Sequence, residues 1–175
     1  MDLYQKVFEL IDMRSFSNLW YWIALAVLWS TTSHWVLGVP FDMVLRARRQ
    51  GGGEAQRDLE DMVRINAGRI LHIADTLGPW LLAFASFVLT SLAILGFLYW
   101  VEFAQAVFLL LFPLSLVALM SLRTARRIRA REAKGEELRR ILMRHRFWTQ
   151  VVGMISIFIT AMWGMAMNYG LGVFG

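Results

Sequence analysis

The chain has 175 residues, the size of one domain, and no cysteine, which excludes disulfides and thiolate-held metals or clusters within it. Hydrophobic residues make up 58% of it and aromatic residues 14%, a composition too apolar for an ordinary soluble domain of this length. The net charge of +5 is unevenly spread, because basic residues concentrate in two polar blocks between long uncharged stretches. These properties predict an all-α integral membrane protein.

Residues 1–15, MDLYQKVFELIDMRS, mix acidic and basic residues and lack the basic start of a cleavable signal peptide. Leu3, Val7, Phe8 and Ile11 recur at helical spacing with charged residues between them. This pattern predicts an amphipathic helix at the membrane surface, and an ordinary exposed helix is the alternative.

The first apolar block, 17–38, has the length of one membrane span, with aromatic residues at both ends. It ends in the polar run STTSHWVLGVP. Because successive helical residues turn by about 100°, the four hydroxyl residues of this run point in different directions. Ser30 and His34 share a face, which predicts a helix-packing pair at the inner end of the span.

The polar segment 42–77 carries six basic and six acidic residues, so its charge cancels. Its three consecutive glycines, 51–53, predict a hinge before a cytoplasmic helix over 54–77. The pair Gly78-Pro79 predicts a break before the next span.

The second apolar block, 79–122, is twice the length of one span and contains a single charged residue, Glu102. This predicts a hairpin of two spans, 79–99 and 104–122, with Glu102 at the turn and a kink at Pro113. A further span is predicted over 147–169, for a total of four transmembrane helices.

A basic segment, 123–146, lies between the last two predicted spans and carries ten basic and three acidic residues. Gly135 predicts a turn between two helical arms of about 18 Å each. The arms are predicted to form a cytoplasmic hairpin, and one interpretation is that it binds anionic phospholipid or an acidic partner. Two alternatives are that the cations only set topology, or that the acidic start of helix 54–77 packs against them. The predicted binding residues are Arg123, Arg126, Arg127, Arg129, Arg131, Arg139, Arg140, Arg144 and Arg146.

With four spans, both cation-bearing loops lie on one side, which the positive-inside rule makes cytoplasmic. The prediction is therefore a multi-pass protein of a bacterial inner membrane with both termini in the periplasm.

Within the last span, Ser156, Thr160 and Gly164 recur every four residues. Such a stripe of small residues lets helices approach closely. It predicts a packing face, either within the chain or against another subunit.

Three histidines, His34, His72 and His145, lie near the predicted cytoplasmic boundary and are low-probability ligands of a haem, a pigment or a metal. No metal-binding motif accompanies them, so no cofactor is predicted. The predicted spans contain no Asp, Glu, Lys or Arg, and the chain has no P-loop or nucleophile elbow, so the protein is predicted not to be an enzyme.

The stretches FELIDMRSFSNLWYWIALAVLWS and HWVLGVPFDMV resemble a family of short multi-pass membrane proteins of photosynthetic and related alphaproteobacteria. Members of that family are often described as a component of the Suf iron–sulfur cluster assembly complex. The resemblance covers mainly the first 44 residues and the overall layout of spans. It implies a bacterial inner-membrane location and carries no catalytic motif.

These features favour a non-enzymatic scaffold or accessory subunit of a larger inner-membrane complex. Its expected partners are other membrane protein subunits and anionic phospholipids, and a homo-oligomer is compatible with the packing stripe. Nucleic acid is disfavoured because the basic segment adjoins the membrane and has few interleaved aromatic residues. A small oligomeric channel, lined by the hydroxyl residues of the first block, is the main alternative, and a haem or pigment binder is the second.

Overall fold

The structure is a computed structural model that describes residues 15–173. The predicted N-terminal helix therefore lies outside the described residues, apart from Ser15. After a short 3-10 turn, Ser15–Ser17, the elements are helix α1 (Leu19–His34), strands β1 (Trp35–Val36) and β2 (Val39–Pro40), and helix α2 (Phe41–Gln50). Helix α3 (Glu54–Ala93) ends in a π-helical turn, Ile94–Leu98, and is followed by α4 (Glu102–Arg131) and α5 (Gly135–Val173). The all-α class is confirmed.

Three helices in the described part of the chain are long and apolar enough to cross a membrane. They are α3 with its π-helical turn, α4 and α5. At 1.5 Å per residue, the 30 residues of α4 measure about 45 Å, whereas a hydrocarbon core is about 30 Å thick. Each of these helices is therefore long enough to continue beyond the membrane.

The prediction of four spans is wrong, because the block 17–38 does not form a helix long enough to count as a fourth. Helix α1 has 16 residues, about 24 Å, and stops at His34. The next residues form an antiparallel two-residue hairpin in which Trp35 pairs with Pro40 and Val36 with Val39. Its turn residues, Leu37 and Gly38, have φ of 53° and 73°, so the chain has left the helical conformation there.

The predicted break at Gly78-Pro79 is also wrong, because α3 runs through both residues without interruption. Proline removes one backbone hydrogen bond but keeps a helical φ, and long apolar helices tolerate it where other groups satisfy the freed carbonyl. The predicted helix 54–77 and the predicted span 79–99 are thus one element.

The polar ends of the helices form a folded unit with its own hydrophobic core, which we call the cap. It comprises the β-hairpin 35–40, α2, the first half of α3, the last turns of α4 and the first turns of α5. Val39, Val44, Leu59, Ala125 and Leu142 are completely buried in it. The helix α2 begins with Pro40 at its N-cap and ends at Gly51, whose φ of 65° suits a helix terminus. The cap fixes the membrane helices to a compact polar end.

The apolar half of the molecule packs less tightly than the cap. Leu25 and Trp29 of α1 meet Val117 of α4 in a small second core. Glycines of α5 allow α1 to approach closely: a Cβ on Gly153 would lie 2.8 Å from Cε3 of Trp29, and one on Gly164 would lie 3.2 Å from Cζ2 of Trp22. The helix α1 therefore packs closely on α5, with tryptophan side chains of α1 over glycines of α5.

At the end opposite the cap, polar contacts close the helix bundle. Gln105 of α4 is fully buried, and its side chain donates to the carbonyl of Gly96 (2.8 Å) and accepts from the indole Nε1 of Trp163 (3.0 Å). Glu102 accepts a hydrogen bond from the backbone N–H of Phe16 at 2.8 Å. The turn predicted at Glu102 therefore also anchors the chain that enters α1.

Candidate functional site

The basic segment forms the last turns of α4 and the first turns of α5, joined by the turn 132–134. Glu132, the first residue of that turn, and Gly135, which directly follows it, have φ of 46° and 56°. These left-handed conformations reverse the chain within a few residues. The two helices lie antiparallel, which brings some arginines of α4 and α5 to the same side of the hairpin.

Four of the nine predicted binding arginines make contacts within the chain. Arg131 pairs with Glu137 (3.4 Å), Arg140 pairs with Glu136 (2.6 Å), and Arg139 donates to the Gln56 side chain (2.6 Å). The guanidinium of Arg146 lies 3.8 Å from the centre of the Phe41 ring, a cation–π contact. These four side chains are therefore engaged with other residues of the cap.

The other five predicted arginines are exposed, and within residues 15–173 none lies within 4 Å of a carboxylate. They are Arg123, Arg126, Arg127, Arg129 and Arg144. A cation that is not paired inside the protein keeps its full attraction for an external anion.

Three of these five, Arg123, Arg127 and Arg144, line a cavity of about 300 Å³ between α4 and α5. Its lining also includes Thr124 and Trp148, and contains no acidic residue. On each helix the lining positions are spaced by three, one and three residues, so two helical faces oppose each other. We call this cavity the arginine groove.

His145 also lines the arginine groove, and its side chain is largely buried. Its Nε2 is 3.3 Å from the Ser121 hydroxyl and its Nδ1 is 3.2 Å from the Thr124 hydroxyl, while its carbonyl accepts from Thr149. Both ring nitrogens thus have hydrogen-bond partners on α4. A metal could bind this imidazole only by displacing one of the hydroxyls.

The other two predicted ligands, His34 and His72, and the predicted packing residue Ser30 are exposed. His34 and His72 both lie on the surface, and the ring of His34 packs edge-on against the neighbouring Trp35. Ser30 is exposed as well, so the structure does not bring Ser30 and His34 into a packing face within the chain. Thr32 bonds back to the carbonyl of Leu28, as expected for a hydroxyl in an apolar helix.

The stripe of small residues on α5 lies inside the molecule. Ser156 and Thr160 are buried, and the Thr160 hydroxyl donates to the Ser156 carbonyl at 2.7 Å. Gly164 is buried beneath Trp22 and Phe16. Within the chain, this face meets Trp22 of α1 and Phe16 at Gly164.

The acidic start of α3 lies against the turn of the basic hairpin. Glu60 accepts from the backbone N–H of Gly135 at 2.8 Å and from Gln56 at 2.8 Å. A second cavity beside it, of about 620 Å³, is lined by both acidic and basic side chains between α3 and α4. The alternative that the acidic start of helix 54–77 packs against the basic segment therefore applies to Gly135 and Arg139. These contacts do not involve the residues that line the arginine groove.

Sequence reasoning grouped all the hairpin arginines and missed the distinction between paired and unpaired ones. It also missed Thr124 and Trp148 as groove residues. The spacing 123, 124, 127 with 144, 145, 148 is visible in the sequence, and the antiparallel arrangement about Gly135 would have brought the two sets together.

The fold and the groove define an all-α protein with three helices able to cross a membrane and a polar cap that bears unpaired arginines. Comparison of the chain with protein-family models, with curated proteins and with solved structures finds no match.

Proposed function

We propose that this protein is a non-enzymatic accessory subunit or scaffold of a larger complex in a bacterial inner membrane. The cap faces the cytoplasm in this proposal, because the described cations of the polar blocks lie at the cap end and the positive-inside rule assigns that end to the cytoplasm. Residues near both ends of the described chain, Ser17 and Asn168, are hydrogen-bonded to each other at the opposite end. Both termini are therefore proposed to be periplasmic. In this arrangement α1, which is shorter than the hydrocarbon core, and the β-hairpin 35–40 together carry the chain from that end to the cap.

The observation that carries the proposal is the bare apolar face of α3. In the most apolar 18-residue window of α3, 6% of the residues are buried, against 22% in α4 and α5. Trp80, Phe84 and Phe87 recur at i, i+4 and i+7 and are exposed by 78%, 69% and 70%. Such an aromatic row supplies a large contact area for a helix of another membrane subunit. We assign that partner to this face.

The test is gentle extraction from native membranes followed by mass spectrometry of the proteins that co-purify. The wild-type chain is expected to retain at least one membrane protein in a defined ratio, and Phe84→Ala/Phe87→Ala is expected to lose it. The control Phe158→Ala/Met162→Ala removes two exposed apolar side chains from α5 and is expected to keep the partner. A wild-type chain that extracts alone at native abundance contradicts the proposal, and equal loss in both double variants contradicts the assignment to α3.

A further inference from the structure

The arginine groove lies where the apolar helices enter the cap. Going down α4 the chain changes from the exposed leucines 116 and 119, through Met120, to Arg123. On α5 the same change occurs between Arg144 and Trp148, which is half-exposed. Tryptophan is enriched at the boundary between hydrocarbon and headgroups, so the groove is at headgroup depth in the proposed membrane arrangement.

The chemistry of the groove favours a phosphate group with an apolar tail. Arg123, Arg127 and Arg144 offer planar guanidinium groups, which bind phosphate through paired hydrogen bonds. Met120 and Trp148 line the same cavity on its apolar side. A volume of about 300 Å³ accommodates a small headgroup and leaves little space for a peptide. A free anion would use the arginines and leave the apolar wall uncovered.

We propose that the arginine groove is a binding site for one anionic phospholipid, whose phosphodiester contacts Arg123, Arg127 and Arg144 and whose acyl chain lies along Met120 and Leu116. The proposal rests on the proposed function only for the placement of the cap at a membrane face. It goes beyond a diffuse attraction of the basic hairpin for anionic lipid, because it assigns one lipid to one cavity and to three of the nine arginines.

The floor of the groove supports this assignment. His145 on α5 is hydrogen-bonded to Ser121 and Thr124 on α4. Ser121 is within one helical turn of Arg123, and Thr124 is within one helical turn of Arg127. These contacts fix the separation of the two helices at the level of the arginines. A site built on two rigid helices holds its ligand groups in place before the ligand arrives, which reduces the entropy lost on binding.

The test uses the purified full-length chain in detergent and native mass spectrometry, with dioleoyl phosphatidylglycerol as the titrant. Dioleoyl phosphatidylcholine, which has the same chains and no net charge, and inorganic phosphate are the comparison ligands. The wild type is expected to bind one phosphatidylglycerol at least ten-fold more tightly than either. Arg123→Gln/Arg127→Gln is expected to weaken that binding ten-fold or more, consistent with the contribution of each basic residue near an anionic headgroup.

The matched control is Arg126→Gln/Arg129→Gln, which removes the same charge from exposed sites on the same helix outside the groove. It is expected to bind phosphatidylglycerol within two-fold of the wild type. Equal weakening in both double variants, or equal affinity for phosphatidylcholine, overturns the site. Inorganic phosphate that binds as tightly as the lipid overturns the assignment to lipid.

Thermal unfolding in detergent shows whether each variant is folded, and Arg144→Gln on α5 supplies an independent test should the double variant on α4 unfold. Co-purification from native membranes separates this proposal from the previous one. A wild-type chain that shows no preference for phosphatidylglycerol but still co-purifies with partners overturns the lipid site alone. A chain that keeps its phosphatidylglycerol preference and extracts without partners overturns the accessory-subunit proposal alone.

Discussion

At the scale of single residues, buried polar side chains hold the end of the molecule opposite the cap. Gln105 is fully buried and uses both ends of its amide, one on Gly96 and the other on Trp163. A buried polar group that loses its partner incurs the full cost of its desolvation, about 1–3 kcal/mol. A side chain at position 96 would be crowded, since a Cβ would lie 3.0 Å from the backbone nitrogen of Gln105.

Replacing Gln105 tests this contact. Gln105→Leu is expected to lower the free energy of unfolding in detergent by about 1–3 kcal/mol, because the indole N–H of Trp163 and the carbonyl of Gly96 lose their partner. Trp163→Phe should cost less when it is combined with Gln105→Leu than in the wild type, with a coupling of about 0.5–3 kcal/mol in a double-mutant cycle. Strictly additive effects would show that the two side chains do not interact.

Single residues also explain why part of the fold could not be predicted. The run WVLGVP was assigned to the end of a span, yet it forms a hairpin whose Leu37 adopts a positive φ. Leucine disfavours this conformation by about 1–2 kcal/mol. Burial of its side chain in the cap core and a hydrogen bond from Asn66 to the Gly38 carbonyl (3.1 Å) compensate. Both contacts come from distant parts of the chain, so local sequence patterns do not contain them.

At the scale of elements, the long helices were more predictable than their ends. The apolar blocks correctly located the hairpin of α3 and α4 about Glu102 and the helical arms of the basic segment. The packing of α1 on α5 depends instead on the complementary shapes of their side chains. Trp29 packs over Gly153. The predicted packing stripe contained only Ser156, Thr160 and Gly164. A fit between a ring and a glycine 124 positions apart leaves no periodic signal.

The contact of α1 with α5 is tested by filling the space above Gly153. Gly153→Ala is expected to destabilise the protein by about 1–3 kcal/mol in thermal unfolding, because its Cβ would lie 2.8 Å from the Trp29 ring. Gly78→Ala is the control, since no atom outside its own helix backbone and chain neighbours lies within 4 Å of the new Cβ, and alanine favours a helix. It should be neutral or slightly stabilising. If Trp29→Leu fails to relieve the Gly153→Ala defect, the steric explanation is wrong.

At the scale of the whole molecule, the cap and the bundle share the same helices. The helices α3, α4 and α5 each run from the apolar part into the cap without a break, so a displacement of the cap would also move the apolar helices. A scaffold benefits from this rigidity, since a partner bound to α3 in the membrane and a lipid bound in the arginine groove would be held at a set distance. The composition of the sequence predicted the membrane class, whereas the core of the cap required the three-dimensional pairing of residues far apart in the chain.

The contacts that join the two ends of the chain make the proposed orientation of the molecule testable. Phe16 contacts Glu102 and Ser17 contacts Asn168, so the turn 99–101 and the end of α5 lie together, with the cap at the other end. The absence of native cysteine allows single cysteines to report on each end. In intact spheroplasts a membrane-impermeant maleimide is expected to label Tyr99→Cys and Tyr169→Cys, and to label Ala130→Cys only after permeabilisation. All three wild-type side chains are exposed, so burial in the protein does not decide the result. Labelling of Ala130→Cys in intact spheroplasts would reverse the orientation, and opposite results for the two tyrosine positions would contradict the contacts that join them.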